Sequence, residues 1–316
     1  LFILCSYHSV MRPLILILGP TAGGKTSLSI TLAQQLKGGG ACICADSMQI
    51  YRGMNIGTAT PTNEEQAGVP HHLLNIADPS KDGFTVEKWL TRANSTIKDI
   101  QADSMWPIVV GGTNLYIQSL LFGMFDGPKS DPNIRADLES STNAELHEQL
   151  QTFDQDAATR IHINDRRRMV RAIEVFKLTG EPLSQLQSQW EQETPLNDTI
   201  VIGLAWEVEA INRRINIRVK EMMAQGLLDE VRALQGTLGM QAREALGYKQ
   251  LLAHISGECT LDEAIEQIKI LTRRFAKQQR NWLRRFQKLP NAHFIEVSEM
   301  PSQDIVNKAL ACISAA

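Results

Sequence analysis

The stretch Gly19-Pro20-Thr21-Ala22-Gly23-Gly24-Lys25-Thr26 follows directly on the apolar run Leu14-Ile15-Leu16-Ile17-Leu18. An unbroken apolar run of this length predicts a strand covered on both faces. The residues after it have the full G-x-x-x-x-G-K-T spacing, the pattern of a loop whose backbone N–H groups turn inward around a phosphate. Lys25 adds a point charge, and Thr26 offers a hydroxyl to a magnesium ion. Residues 27–36 read as a helix whose N-terminus faces the anion.

The rest of the chain extends this unit into an α/β fold. Further strands are predicted over 41–45, 108–110, 199–204 and 293–297, separated by helical stretches. That alternation implies a parallel sheet with helices on both faces, a P-loop NTPase-like architecture. Ligands gather at the carboxyl ends of such strands. Lys25, Asp46 and Thr113 each lie just past a predicted strand end, so they are expected to share one pocket. Between 127 and 198 the strand signal vanishes, with helical patterning at 144–153 and 167–177. The expected organisation is a core part over 11–126, a small all-helical insertion over 127–198, and a second core part over 199–316. After Trp206 the pattern is helical almost to Leu289, with breaks at Gly236, Gly239, Gly247 and Gly257.

The chain has 316 residues, long enough for one full core and a second unit. Its net charge of -3 means that any polyanion must be held by local clustering. The cysteines Cys5, Cys42, Cys44, Cys259 and Cys312 are few, odd in number and not in zinc spacing, so a reducing cytoplasm is expected. Cys42 and Cys44 alternate along a predicted strand and read as core. No stretch is long and apolar enough to span a membrane, and no membrane partner is expected. Leu1 to Val10 read as an upstream extension rather than a cleaved signal, because the apolar run after Met11 is the loop-bearing strand.

Phosphate-loop enzymes that hydrolyse nucleotides or transfer phosphoryl groups hold magnesium with an acid at the end of a second apolar strand. Here the run 108–110 ends in Gly111-Gly112-Thr113, and the acid follows 41–45 instead, as Asp46. The loop is therefore expected to hold a pyrophosphate leaving group while Asp46 works on another reactant. From Ile268 to Pro290 lie Lys269, Arg273, Arg274, Lys277, Arg280, Arg284, Arg285 and Lys288, with no acid among them. Solvated helices usually mix signs at four-residue spacing, so a single-sign helix suggests a phosphate-backbone partner. Arg166-Arg167-Arg168 with Arg171 forms a second cluster, for which pairing with Asp165 and Glu174 is the bland alternative. Adjacent His71 and His72 on a strand would point to opposite sides, a poor metal pair, so at least one is read as structural.

These motifs resemble the tRNA dimethylallyltransferase (tRNA isopentenyltransferase) family. The matching pieces, in order, are the loop from Gly19 to Thr26; Asp46-Ser47-Met48-Gln49-Ile50-Tyr51-Arg52-Gly53-Met54; Ile56-Gly57-Thr58-Ala59; Pro70-His71-His72-Leu73-Leu74; and Val110-Gly111-Gly112-Thr113-Asn114-Leu115-Tyr116. Asn164-Asp165 through Val175, Gly247-Tyr248-Lys249 and the Lys277–Arg284 helix continue the match, which runs from about Met11 to the C-terminus. The Asp-Ser-x-Gln-x-Tyr-x-Gly-Met element is highly specific; the loop motif alone is shared with many families. Family members usually have Ser at Gly23, Asp at Asn55, Lys at Thr60 and Asp at Asn75, and their basic helix usually reads Lys-Arg-Gln-x-Thr-Trp where this chain has Lys277-Gln278-Gln279-Arg280-Asn281-Trp282.

The resemblance implies transfer of a dimethylallyl group from dimethylallyl diphosphate to the exocyclic amine of the adenosine 3′ to the anticodon in tRNA. It implies that Asp46 is the general base, that Thr113 bonds near the breaking C–O bond, and that Gly19, Pro20, Thr21, Ala22, Gly23, Gly24, Lys25 and Thr26 hold the diphosphate with magnesium. Arg218 is a further candidate for pyrophosphate contact. Ser47, Met48 and Gln49 would read the extruded adenine and its neighbours, and Arg135, Arg167, Arg168 and Arg171 would grip the anticodon stem-loop. Gly247, Tyr248, Lys249, Lys277, Gln279, Arg280, Trp282 and Arg284 complete the expected tRNA surface. A cytoplasmic monomer of the compact bacterial type is expected. Two alternatives stand beside this reading: a prenyltransferase acting on free adenine nucleotides, and an ATP-dependent small-molecule kinase in which Asp46 ligands magnesium or activates a hydroxyl.

Overall fold

The structure, a computed structural model, describes residues 12–124, 127–190 and 198–315. The upstream stretch Leu1–Val10 with Cys5, and the expected boundary at residue 126, lie outside the described residues. The chain opens with β1 (Leu14–Leu18), α1 (Lys25–Gln35), β2 (Gly40–Ala45), α2 (Asn63–Gln66), β3 (His71–His72), α3 (Val86–Ala102), β4 (Trp106–Gly111) and α4 (Asn114–Phe122). Five helices follow, α5 (Pro132–Glu139), α6 (Asn143–Phe153), α7 (Gln155–Arg160), α8 (Arg166–Thr179) and α9 (Leu183–Trp190). Then come β5 (Thr199–Ala205), α10 (Val208–Ala224), α11 (Leu227–Leu234), α12 (Met240–Arg243), α13 (Tyr248–Ile255), α14 (Leu261–Phe286), β6 (Ala292–Glu296) and α15 (Ser302–Ala315).

The strands form one parallel sheet in the order β3-β2-β4-β1-β5-β6. All five expected strands are present, and the sixth is the His71–His72 pair, which adds to the edge beside Cys42 and Ile43. Leu18 pairs with Gly111, and Gly111 with Ala45, so β1, β4 and β2 end level. The loops leaving them therefore start side by side. That register, set by three fully or largely buried apolar runs, is what gathers the site.

One face of the sheet packs Ile15, Ile17, Ile108, Ile200 and Ile202 against Leu28 and Leu32 of α1 and Val306 and Ile313 of α15. Each such side chain contributes roughly 1.5–3 kcal/mol by leaving water. A second cluster joins Ile50, Tyr51 and Met54, just after β2, to Val219, Leu227, Val231, Tyr248, Leu251 and Ile268. It fixes helices α10 to α14 against the segment that carries Asp46. The expected long helical stretch after Trp206 is broken at Gly226 as well as at the four expected glycines, Gly236, Gly239, Gly247 and Gly257.

The chain divides into two compact units, Leu1–Ile117 with Asn197–Ala316, and Gln118–Leu196. The second unit has its own core of Leu138, Leu146, Leu150, Met169, Ala172 and Ile173. Helices α5 to α8 start on side-chain caps, Thr142 with Glu145 forming a reciprocal capping box on α6. Helix α8 stops at Gly180, whose φ of 76° suits glycine. The short α5, α7 and α9 escaped the helical pattern because one to two turns give too few repeats to read.

Candidate active site

The phosphate loop is held from outside and open within. Arg214 Nε donates to the Ala22 carbonyl at 2.8 Å, and Trp206 Nε1 donates to the Gly23 carbonyl at 3.1 Å. The Arg214 guanidinium also lies over the Trp206 ring at 4.9 Å. Gly24 takes φ of 85°, which turns the chain into α1. The amide N–H groups of Gly24, Lys25 and Thr26 have no hydrogen-bond partner among the described residues, and all three residues line a cavity of about 390 Å³. Free amides at a helix N-terminus form an anion site.

Two cations face this cavity without a carboxylate partner. Lys25 Nζ donates to the carbonyls of Gly19 at 3.0 Å and Pro20 at 2.8 Å. Burial lowers its pKa to about 8, Asp46 pulls it upward, and Arg218 presses it down again. Arg218, from α10, makes no ion pair among the described residues, and burial lowers its pKa as well. A desolvated pair of cations beside free amides is an electrostatic demand for an anion.

Asp46 leaves β2 into a tight turn in which its Oδ1 accepts from the N–H of Met48 at 2.9 Å and, more weakly, of Gln49 at 3.4 Å. Oδ2 makes no hydrogen bond among the described residues, so one carboxylate oxygen remains available beside the loop. Thr113, just past β4, accepts the Ser47 N–H on Oγ1 at 2.9 Å and donates to Ser47 Oγ at 3.3 Å. The two expected chemical residues thus meet through Ser47.

A second cavity of about 270 Å³ shares Thr21, Asp46, Thr58 and Arg218 with the first. Its remaining walls are largely apolar, among them Met48, Ile215, Val219, Leu227, Ile268 and Phe275. Asp46 therefore stands where an anion-binding cavity and an apolar cavity meet. Among the described residues no cluster of three or more His, Cys, Asp or Glu could hold a metal ion. Thr26 Oγ1 has no hydrogen-bond partner among the described residues, and Thr26 lines the phosphate side. A phosphate-bound magnesium takes only one or two protein ligands, so these residues fit one.

Several expected RNA-contact residues lie elsewhere. Gln279 is 2% exposed and Tyr248 fully buried, so neither side chain faces RNA. Gln279 Oε1 accepts the Thr21 N–H at 2.7 Å, and its Nε2 donates to the Gly112 carbonyl at 3.0 Å. The Tyr248 hydroxyl donates to Glu230. Gln49 spends its amide donor on the carbonyls of Thr58 and Ala59, both at 3.0 Å, and accepts from Cys44 Sγ at 3.2 Å. Gly247, like Met48, lines the apolar cavity. Lys249 is exposed but pairs with Glu244 at 2.7 Å.

On α14, Arg274, Lys277 and Arg284 are exposed with no hydrogen bond or ion pair among the described residues, as is Lys288 just beyond its end. Trp282 carries the Arg285 guanidinium over its ring at 4.6 Å, and Arg280 is half-buried with Nη1 unpartnered. In the helical unit, Arg135 and Arg171 both bind the buried Glu174, at 2.8 and 2.7 Å. Arg168 pairs with Asp165 at 3.4 Å, and Arg167 is exposed and makes no hydrogen bond or ion pair through its side chain among the described residues.

Sequence reasoning missed Glu230. Its carboxylate accepts the N–H groups of Asn55 at 2.9 Å, Ile56 at 2.8 Å and Gly57 at 3.0 Å, pinning the loop that leads to Thr58. No local signal marks it, because the partners are more than 170 residues away. His71 lines the phosphate-side cavity, with Nδ1 against the Val69 carbonyl at 2.8 Å and Nε2 buried without a partner.

The sheet, the phosphate loop and the acid-bearing apolar cavity define a phosphate-loop enzyme that acts on something other than a nucleotide's own phosphates. Comparison with known proteins identifies the family. The IPP transferase family matches residues 49–286. The tRNA dimethylallyltransferase of Bacillus pumilus is 43% identical over 301 residues, covering 91% of this chain and 93% of that protein. The crystal structure of the tRNA delta(2)-isopentenylpyrophosphate transferase from Staphylococcus epidermidis aligns with TM-score 0.70 and 38% identity, over 96% of this chain and 99% of that one. A eukaryotic dimethylallyltransferase solved acting on tRNA aligns with TM-score 0.78 and 29% identity, over 95% of this chain and 77% of that one. The chain belongs to the IPP transferase family.

Proposed function

We propose that this protein transfers a dimethylallyl group from dimethylallyl diphosphate to the exocyclic N6 amine of the adenosine 3′ to the anticodon of tRNA, releasing pyrophosphate. The observation that carries this reading is the position of Asp46 at the meeting of an anion cavity and an apolar one. A diphosphate suits the first and a small branched alkenyl group the second. Membership of the family supports the same pairing of donor and tRNA acceptor.

In the reaction a C–N bond forms as the C–O bond to the diphosphate breaks. The loop amides, Lys25 and Arg218 stabilise the charge that grows on the leaving group. Asp46 accepts the proton released by the amine on its unengaged carboxylate oxygen. The Thr113 hydroxyl, which donates to Ser47 in this structure, turns toward the breaking bond. Magnesium, when bound, neutralises diphosphate charge, with Thr26 holding it. Above pH about 8 the free enzyme's Lys25 loses its charge, so diphosphate capture weakens there.

The acceptor base leaves its stack to enter the cavity. Arg167 in the helical unit, and Lys277, Arg284, Arg274 and Lys288 of the basic stretch, supply charges for RNA phosphates. A cytoplasmic monomer belongs to the same proposal. The test is incubation with unmodified tRNA and radiolabelled dimethylallyl diphosphate, followed by nucleoside analysis. Label on the adenosine 3′ to the anticodon is the expected result. Label on free adenine nucleotides alone, or phosphate transfer from ATP to small alcohols with none of the label on tRNA, would overturn it.

A further inference from the structure

Gln279 joins helix α14 to the phosphate loop across 258 residues of sequence. Along α14, Ile268, Thr272, Phe275 and Gln279 recur at helical spacing and form one inward stripe. The first three line the apolar cavity, and Gln279 lines the phosphate side. Its single amide reaches two places at once, the Thr21 N–H at 2.7 Å and the Gly112 carbonyl at 3.0 Å. The fit leaves no room: a Cβ at Gly112 would lie 2.1 Å from Gln279 Nε2. Thr21 belongs to the phosphate loop and Gly112 precedes Thr113, so one buried side chain sets the spacing of both strand-end loops. Because Gln279 is 2% exposed, water is no substitute partner for these groups. The opposite face of the same helix carries the exposed Arg274, Lys277 and Arg284, none of them ion-paired among the described residues.

We propose that Gln279 is a positioning residue that couples RNA docking on the outer face of α14 to the shape of the phosphate loop. Diphosphate and RNA then bind with positive, reciprocal coupling. RNA held on the outer face restrains the helix, and the Gln279 amide passes that restraint to Thr21 and Gly112. The freedom that the loop must lose to grip a diphosphate is then already lost when RNA is bound. This inference rests on the prenyl-transfer reading above.

The test uses the full chain, with inorganic pyrophosphate and magnesium as the probe, titrated by calorimetry with and without an anticodon stem-loop RNA. Two variants cut the link from opposite sides. Gln279→Met keeps approximate volume and removes both hydrogen bonds; Gly112→Ala displaces the amide while leaving Gln279 in place. In the wild type, saturating RNA should tighten pyrophosphate binding about fivefold or more. Each variant should weaken pyrophosphate binding about tenfold and abolish the RNA effect. The double variant should be little worse than either single one. If Gln279→Met fails to fold, Gly112→Ala decides the matter alone. A purely structural role would lower the thermal transition while leaving pyrophosphate affinity and RNA coupling as in the wild type, and that result overturns the proposal. So does a wild type that binds pyrophosphate identically with and without RNA. A wild type that binds no pyrophosphate at all would instead sink the prenyl-transfer reading, and this inference with it.

Discussion

Helix α8 opens on a run of arginines and the later part of α14 carries a run of arginine and lysine, and the fold spends those charges differently. On α8, Arg166 donates from Nη1 to the Ser141 carbonyl at 2.7 Å and from Nη2 to those of Leu138 at 2.7 Å and Glu139 at 2.9 Å, closing the end of α5. Arg171 binds Glu174 and the Pro128 carbonyl, both at 2.7 Å, and Arg135 approaches the same carboxylate from α5. Only Arg167 of that cluster remains exposed and unpaired. On α14, Glu266 takes Lys269 at 3.2 Å and Arg273 at 3.6 Å, and beyond it no acid is left. Charge in α8 is mostly internal cement; charge in the second half of α14 is surface. The difference lies in whether an acid falls within one helical turn or across a short loop.

The largest expected consequence is at Glu174. Its carboxylate is fully buried and takes two arginines and the Asp131 N–H. Glu174→Gln should destabilise the helical unit by about 2–4 kcal/mol, because two guanidinium groups lose their counter-ion. Hydrogen-exchange protection of the α5 and α8 amides is the measure. Acid should do the same work. Burial alone would raise this carboxyl, but the bonds from Arg135, Arg171 and Asp131 outweigh it and hold its pKa near 2 against an ordinary 4.5. A carboxyl depressed on folding stabilises fully above the ordinary value, and that stability is lost as pH falls from about 4.5 toward about 2. Protection that stays constant across that window would place Glu174 outside the cement.

Neutralising Lys277, Arg284 and Lys288 together should have the converse signature. These residues are exposed and make no hydrogen bond or ion pair among the described residues, so the thermal transition should move by less than about 0.5 kcal/mol equivalent. Binding of tRNA should weaken, and its salt slope should fall by up to about one unit per residue removed. An unchanged slope with a lowered transition would make α14 cement like α8. Arg167→Ala is the smallest change: a shift in tRNA salt slope of about one unit at most, with no loss of protection in α8. Loss of α8 protection instead would erase the contrast at its one unpaired member.

Much of this was legible in sequence because it was local. The apolar runs that end at Leu18, Ala45 and Gly111 announced their strands, and the loop glycines and Asp46 follow those ends directly. The parallel order then brought Lys25 and Asp46 to one cavity and Asp46 and Thr113 to the adjoining one, so the expected single pocket is two cavities joined at Asp46. What escaped was long-range. Glu230 pins a loop far upstream, and Gln279 bonds Thr21 from the other end of the chain. Gln279 was expected on the RNA surface because the Lys277–Arg284 helix resembles the family's basic helix. Its phase with Ile268, Thr272, Leu283 and Phe286 would have put it on the apolar side of the helix. Strand β3 was hidden by its two-residue length, which shows no period. The bland reading of Arg171 was correct, since its partner Glu174 stands three residues away.

The central claim is that Asp46 takes a proton from an amine at the junction of the two cavities. Single-turnover prenyl transfer by Asp46→Asn, at saturating tRNA and dimethylallyl diphosphate, tests it most directly. The amide preserves shape and can still accept from the Met48 N–H, but cannot act as a base. The rate should fall by about 10²–10⁴-fold with tRNA affinity nearly intact. A rate within about twofold of the wild type would contradict the account, since a general base is worth far more than that.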